Sequence, residues 1–204
     1  MRVNKKKFIY LISPNKIYKK FFKDLQKVLA TGKISFFQLR LKKYSSKNKI
    51  LIGQKIKNIC KKNKVKFLIN DDPILAKRLS ADGCHLGQKD MNIKEARKII
   101  GKKIIGITCH NSITLAKIAI KAKASYLAFG AFYSSKTKKT KYAANIKILN
   151  KIKKITKTPI VAIGGINSKN YKKLLLNNAN FLAISGYVWN NKKYKPLEAI
   201  ERLE

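Results

Sequence analysis

Phe67-Leu68-Ile69-Asn70-Asp71-Asp72-Pro73 carries an apolar run, then two acids, then a proline. The run is too short for a helix and reads as a buried strand. Asp72 before Pro73 has the pattern of a helix N-cap followed by proline at the first helical position. A strand therefore passes into a helix here, and Asp71 stands at the junction with no evident part in either.

The same unit recurs along the chain. Short apolar runs fall at 8–12, 36–39, 67–69, 84–86, 104–108, 126–129, 160–163 and 181–185. Lys-rich stretches of helical period lie between them, among them 51–60, 115–122, 146–155 and 171–176. Strands alternating with helices argue for βαβ units and a parallel sheet. Eight units predict an α/β fold, a (β/α)8 TIM barrel, and 204 residues sits at the short end of that fold's range. A doubly wound open sheet is the competing architecture. It usually has fewer strands and a glycine-rich turn after the first one. Here the first strand runs into Ser13-Pro14-Asn15-Lys16, which is no dinucleotide fingerprint. With no linker or low-complexity tract, residues 1–204 read as a single domain.

Composition narrows the function classes. No apolar run approaches the roughly 18 residues of a membrane span. The basic N-terminus is followed by an apolar stretch, 8–12, that ends at Ser13-Pro14, too short for a signal-peptide core. A cytoplasmic protein with no membrane partner is expected. Cys60, Cys84 and Cys109 are odd in number and widely spaced, which indicates neither a disulfide framework nor a zinc knuckle. Net charge is +39, from 48 Lys+Arg against 9 Asp+Glu. Such charge attracts polyanions weakly at low salt. Yet the lysines spread over every predicted helix and loop, and RNA-binding signatures are missing, so no specific nucleic acid is expected. Association into a homo-oligomer is left open.

Against this cationic background the acids are informative. Four of the nine, Asp71, Asp72, Asp82 and Asp90, fall within 71–90, where an even scatter would put about one. Asp72 is explained as a cap, and Asp82 lies in the turn signal Ala81-Asp82-Gly83. Asn92, with Glu95 three residues on, is the better cap for the helix after Asp90. Asp71 and Asp90 are left over.

A barrel predicts that polar residues after each strand meet at one mouth. Gln38, Arg40 and Lys42 follow strand 2, Asn70 and Asp71 strand 3, and Gln88 and Asp90 strand 4. Thr108 ends strand 5, with His110 beyond it. The loop 133–138 follows strand 6, Gly164-Gly165 strand 7 and Ser185-Gly186 strand 8. Carboxylates on neighbouring strands suit one Mg2+, which takes one or two protein carboxylates and completes its shell with water and phosphate oxygens. The lack of a His/Cys cluster argues against zinc or copper. Arg40, Lys42 and Lys138 offer charge to phosphate oxygens. The glycines after strands 7 and 8 fit the phosphate site that barrels often build there. Two anion sites and a magnesium ion point to a phosphorylated substrate and a diphosphate leaving group. Each feature also has an ordinary explanation: a bridging aspartate, a turn glycine, one lysine among many. The weight comes from their coincidence at one end of the strands.

These residues carry a resemblance. Gln38-Leu39-Arg40-Leu41-Lys42, Leu68-Ile69-Asn70-Asp71, Ile105-Gly106-Ile107-Thr108, Thr137-Lys138 and Ala162-Ile163-Gly164-Gly165-Ile166 are matching segments. The most specific is Ala81-Asp82-Gly83-Cys84-His85-Leu86-Gly87-Gln88-Lys89-Asp90. Over nearly its full length the chain resembles the thiamine phosphate synthase family and its relative, the thiazole tautomerases. The resemblance implies Mg-dependent joining of a hydroxymethylpyrimidine diphosphate to a thiazole phosphate, giving thiamine phosphate and diphosphate. It implies that Gln38, Arg40, Lys42, Asn70, Thr108 and Lys138 bind the pyrimidine diphosphate. Asp71 and Asp90 match the magnesium ligands. Ser135, Lys136, Thr137, Gly165, Ile184 and Ser185 match positions contacting the thiazole phosphate. Arg40, Lys138 and Thr108 are the residues expected to stabilise charge on the leaving group.

Departures from the family pattern centre on the loop after strand 6, usually Gly-Pro-x-Phe-Pro-Thr-Pro-Thr-Lys. Here it reads Gly130-Ala131-Phe132-Tyr133-Ser134-Ser135-Lys136-Thr137-Lys138, without the prolines that would pre-set φ. Thr108 replaces the usual serine and keeps the hydroxyl. A tautomerase is the alternative, because His110 matches the position of its catalytic histidine, but that reaction needs no magnesium and leaves the aspartates unexplained. A polyanion-binding protein without catalysis is the other.

Overall fold

The computed structural model describes residues 7–134 and 142–203. Eight parallel strands close into a barrel in sequence order: β1 (Ile9–Ile12), β2 (Ile34–Leu39), β3 (Lys66–Asn70), β4 (Gly83–Leu86), β5 (Ile104–His110), β6 (Tyr126–Gly130), β7 (Ile160–Ile163) and β8 (Phe181–Ile184). The ring is completed by β8 pairing with β1, with Leu11 opposite Ile184. Helices α1 (Phe21–Ala30), α2 (Ser46–Lys62), α3 (Pro73–Arg78), α4 (Ile93–Ile100), α5 (Ile113–Lys121), α6 (Lys147–Ile155) and α7 (Tyr171–Leu176) connect successive strands. Two short helices, α8 (Gly186–Trp189) and α9 (Pro196–Glu201), follow β8.

The expected (β/α)8 barrel is present, with every expected strand in place. Boundaries differ where a cap acts. Helix α2 begins well before the apolar positions that betray it, because the Ser45 side chain accepts the Asn48 N–H. Asp72 and Asn92 cap α3 and α4 as their sequence predicts, accepting from Leu75 and Glu95. Strand β5 runs on to His110 through an irregularity after Thr108.

Period-two alternation divides the core into two layers. Odd positions of β1 and β2 (Ile9, Leu11, Phe37, Leu39) pack outward against the helices, together with Cys84, Leu86, Ile105 and Ile107. Inside the barrel lies a smaller cluster built on Tyr10, Leu68, Tyr126, Ala128, Val161 and Ala183. The inward residues nearest the strand ends are therefore Gln38, Asn70, His85 and Thr108, and the loops just beyond carry the charge.

The far end of the barrel is closed by backbone clamps. The Asp82 carboxylate accepts the Phe67 N–H at 2.8 Å and pairs with Lys66 at 2.9 Å. The turn residue of the sequence is thus a brace for the start of β3. Among the described residues no helix is long and apolar enough to cross a membrane.

Candidate active site at the barrel mouth

Strand β2 delivers the first cation. Arg40 follows its last residue, donates its backbone N–H to Ser13 Oγ at 2.9 Å, and donates from Nη1 to Asn15 Oδ1 at 2.9 Å. Burial lowers the guanidinium pKa, and Asp71 opposes that shift. An arginine so placed remains charged. Its fork is held from one side and keeps donors for an anion.

Asp71 leaves β3 in the left-handed region, φ 64°, with its N–H donated to the His85 carbonyl at 2.8 Å. An aspartate tolerates this conformation better than most residues. The turn lifts its carboxylate into an ion pair with Lys42 at 2.9 Å. Asp90 approaches from β4, its Oδ2 accepting the Gly87 N–H at 2.7 Å. A Cβ at Gly87 would sit 3.0 Å from that oxygen, so a glycine leaves room for the carboxylate. The two carboxyl groups lie near enough for each to shift the other's titration. Burial pushes Asp71 up, but the neighbouring Lys42, Asp90 and His85 win, and its pKa falls below the ordinary value. Burial and the neighbouring Asp71 carboxylate raise Asp90. Like charges held close to one another resist ionising together, and here Asp90 is the one that yields.

The other predicted residues are spread around and beneath the mouth. Lys42, Asn70 and Asp71 line a cleft of about 460 Å³ between the ends of β2 and β3, together with Pro73 and Met91. Gln38 lies beneath the mouth at 2% exposure, its amide nitrogen donating to the Tyr10 hydroxyl at 2.8 Å. Thr108 accepts or donates at Oγ1 with His85 Nε2 at 2.8 Å, and its carbonyl accepts from the Gln88 amide. His110, φ 53°, stacks on Tyr142 with centroids 3.9 Å apart.

On the opposite side of the mouth, Gly164 and Gly165 have φ of 107° and 61°. The segment after β6 lies directly on them: Phe132 and Tyr133 donate backbone N–H groups to the Ile163 and Gly164 carbonyls, both at 3.1 Å. A Cβ on Gly165 would meet the Ser134 carbonyl at 2.3 Å. These glycines are required by close approach of backbone as well as by positive φ. Ser185 follows β8, just before α8, and its hydroxyl donates to the Ser13 carbonyl at 3.1 Å. The Ile184 side chain packs in the outer layer, 2% exposed. Ser135, Lys136, Thr137 and Lys138 lie outside the described residues.

Sequence reasoning passed over Ser13 and Asn15, which hold Arg40, and His85, Tyr10 and Tyr126 beneath the mouth. Ser13 was legible only as the residue that ends the first apolar run. His85 stood in the most specific motif but on the apolar run, where it looks like core.

The family model described as thiamine monophosphate synthase matches residues 9–188. The chain belongs to the thiamine monophosphate synthase family. It is thereby a transferase, as its resemblance implied. The thiamine-phosphate synthase of Pelagibacter ubique is 69% identical over 207 residues, covering 100% of both chains. That of Erythrobacter litoralis is 39% identical, covering 94% of this chain and 92% of its own. The solved thiamine phosphate pyrophosphorylase from Pyrococcus furiosus superposes with a TM-score of 0.86 at 27% identity, covering 98% of this chain and 94% of that one. This synthase family membership agrees with a mouth that gathers carboxylates and cations.

Proposed function

We propose that the mouth joins 4-amino-2-methyl-5-hydroxymethylpyrimidine diphosphate to thiazole phosphate, releasing diphosphate, with Asp71 and Asp90 as Mg2+ ligands. The observation that carries this reading is the convergence of those two carboxyl groups from neighbouring strands, beside Lys42 and within the influence of Arg40.

The donor set fits magnesium. Carboxylates are hard oxygen ligands, and magnesium needs only one or two of them. A lysine ammonium already pairs with Asp71, so positive charge belongs at this spot. When bound, the ion would supply charge to the oxygens of the departing diphosphate.

The chain's own residues do the rest. Arg40 donates its fork to diphosphate oxygens. Lys42 and Lys138 add charge, and Thr108 a hydroxyl. Asn70 and Gln38 orient the pyrimidine diphosphate. The C–O bond to diphosphate breaks ahead of attack, and the thiazole nitrogen takes the pyrimidine cation. Stabilising the leaving group is then the main catalytic task. Ser135, Lys136, Thr137, Gly165, Ser185 and the Ile184 backbone receive the thiazole phosphate. Purified protein given both substrates should release diphosphate only when magnesium is present. A folded protein that releases none under those conditions refutes the proposal.

A further inference from the structure

A chain of hydrogen bonds runs through the barrel interior and surfaces at Thr108. Gln38 Nε2 meets the Tyr10 hydroxyl at 2.8 Å, and that hydroxyl meets Tyr126 at 2.8 Å. Tyr126 meets His85 Nδ1 at 2.9 Å, and His85 Nε2 meets Thr108 Oγ1 at 2.8 Å. The imidazole and the Tyr126 ring lie nearly parallel, 13° apart. Tyr10, Gln38 and Tyr126 are each at most 2% exposed, so water cannot repair a mismatch there.

Counting hydrogens sets a direction. An amide nitrogen can only donate, so Tyr10 accepts from Gln38. Burial raises both phenols above their ordinary range, so each keeps one hydrogen. Tyr10 passes its hydrogen to Tyr126, and Tyr126 passes its own to Nδ1. With Nδ1 accepting, the ring's hydrogen sits on Nε2 and is donated from there. Thr108 Oγ1 therefore accepts from the ring, and its own hydrogen is turned away toward the mouth. The opposite direction would leave the Tyr10 O–H facing the Gln38 amide hydrogens, donor against donor in a buried site.

We infer that Gln38, Tyr10, Tyr126 and His85 form a positioning relay that fixes Thr108 as a hydrogen-bond donor to an anionic oxygen of the substrate. The inference deepens the reading of the mouth as a diphosphate site and rests on it. The space for the relay is cut by Gly106: a Cβ there would lie 1.8 Å from the Tyr126 ring. His85 touches no reacting atom in this scheme and acts through Thr108.

Long-range nitrogen–proton NMR of the intact protein tests the direction without any activity. The chain has 2 histidines, so His110→Ala assigns the signals. The relay requires His85 to be the Nε2–H tautomer. An Nδ1–H or doubly protonated ring overturns it, whatever the enzyme does. Diphosphate release then tests the consequence. Tyr126→Phe should lower kcat about tenfold with KM changed less than about twofold, the worth of one misdirected hydrogen bond. In a Thr108→Val background the same change should cost less than about twofold, because the group it directs has gone. Effects that multiply instead would make Tyr126 merely structural and refute the relay. Thr108→Ser should retain most activity and Thr108→Val should not, a comparison that needs no change to the buried tyrosines. Absence of coupling in the wild-type protein would strike the diphosphate reading alone, since the tautomer still decides the direction.

Discussion

Strand β3 has an aspartate–lysine pair at each end, and the two pairs share a distance of 2.9 Å. At the far end Asp82 takes Lys66 and also the backbone N–H of Phe67. Its bonds are spent on the chain itself. At the mouth Asp71 takes Lys42 from a backbone at positive φ, and a second carboxyl group, Asp90, lies near enough to shift its titration. A stabilising brace has no use for an acid beside an acid, which costs stability unless a proton or a cation intervenes. Equal geometry at the ion pair therefore says little about role. What else each carboxylate touches separates a fastening from a binding site.

The sharpest way to break this contrast is to neutralise each end. Asp71→Asn or Asp90→Asn should cut diphosphate release by roughly two or more orders of magnitude while leaving the melting temperature within about 2 °C. Asp82→Ala should do the reverse. Leaving the Phe67 N–H unpaired costs about 1–3 kcal/mol, a fall of a few degrees by calorimetry, with turnover per folded molecule kept. Early melting of the Asp71 variant with full activity would erase the distinction.

Titration sharpens it next. Asp90 holds its proton above the ordinary carboxylate value of 3.8. Magnesium needs both carboxylates ionised, so its affinity is full above that raised pKa and declines as pH falls through it, by about tenfold per pH unit for one proton. Calorimetry in buffers of differing protonation enthalpy should show proton release on binding in that window and none well above it. Asp71, depressed, loses its charge only at lower pH. Binding that is flat through the region just above 3.8 would contradict the raised Asp90.

The lysines give the smallest effects. Lys42→Met should raise KM for the pyrimidine diphosphate about tenfold, one charge-assisted contact. Lys66→Met should leave KM unchanged and cost under about 1 kcal/mol, because both lysines are more than half exposed and such surface pairs contribute little. Equal KM effects from both would show only a general loss of positive charge.

How far these features were legible from sequence follows from their range. The barrel was readable because each strand and helix announces itself locally, through apolar runs and caps such as Asp72-Pro73. Asp71 and Asp90 were readable by elimination, since neither caps a helix in a chain with 9 acids. Asp82 was read as a turn residue only, because its reach back to Phe67 spans a loop and a helix. Asn15 and Ser13 were unreadable as supports for Arg40: they meet it across |i−j| of 25 and 27, which only the closed barrel brings together. The tyrosines of the interior looked like bulk, since an apolar run gives no sign of which hydroxyl will find which.

Gly106 bears on how this chain can change. A sequence that holds 48 Lys+Arg, placed almost anywhere on its surface, has no room for a single methyl group opposite Tyr126. A substitution at 106 can survive only if the ring shrinks in the same step, and that exchange removes the phenol. Libraries that vary one position at a time will find the site closed, and those that vary both will recover folded proteins whose interior no longer speaks to the mouth.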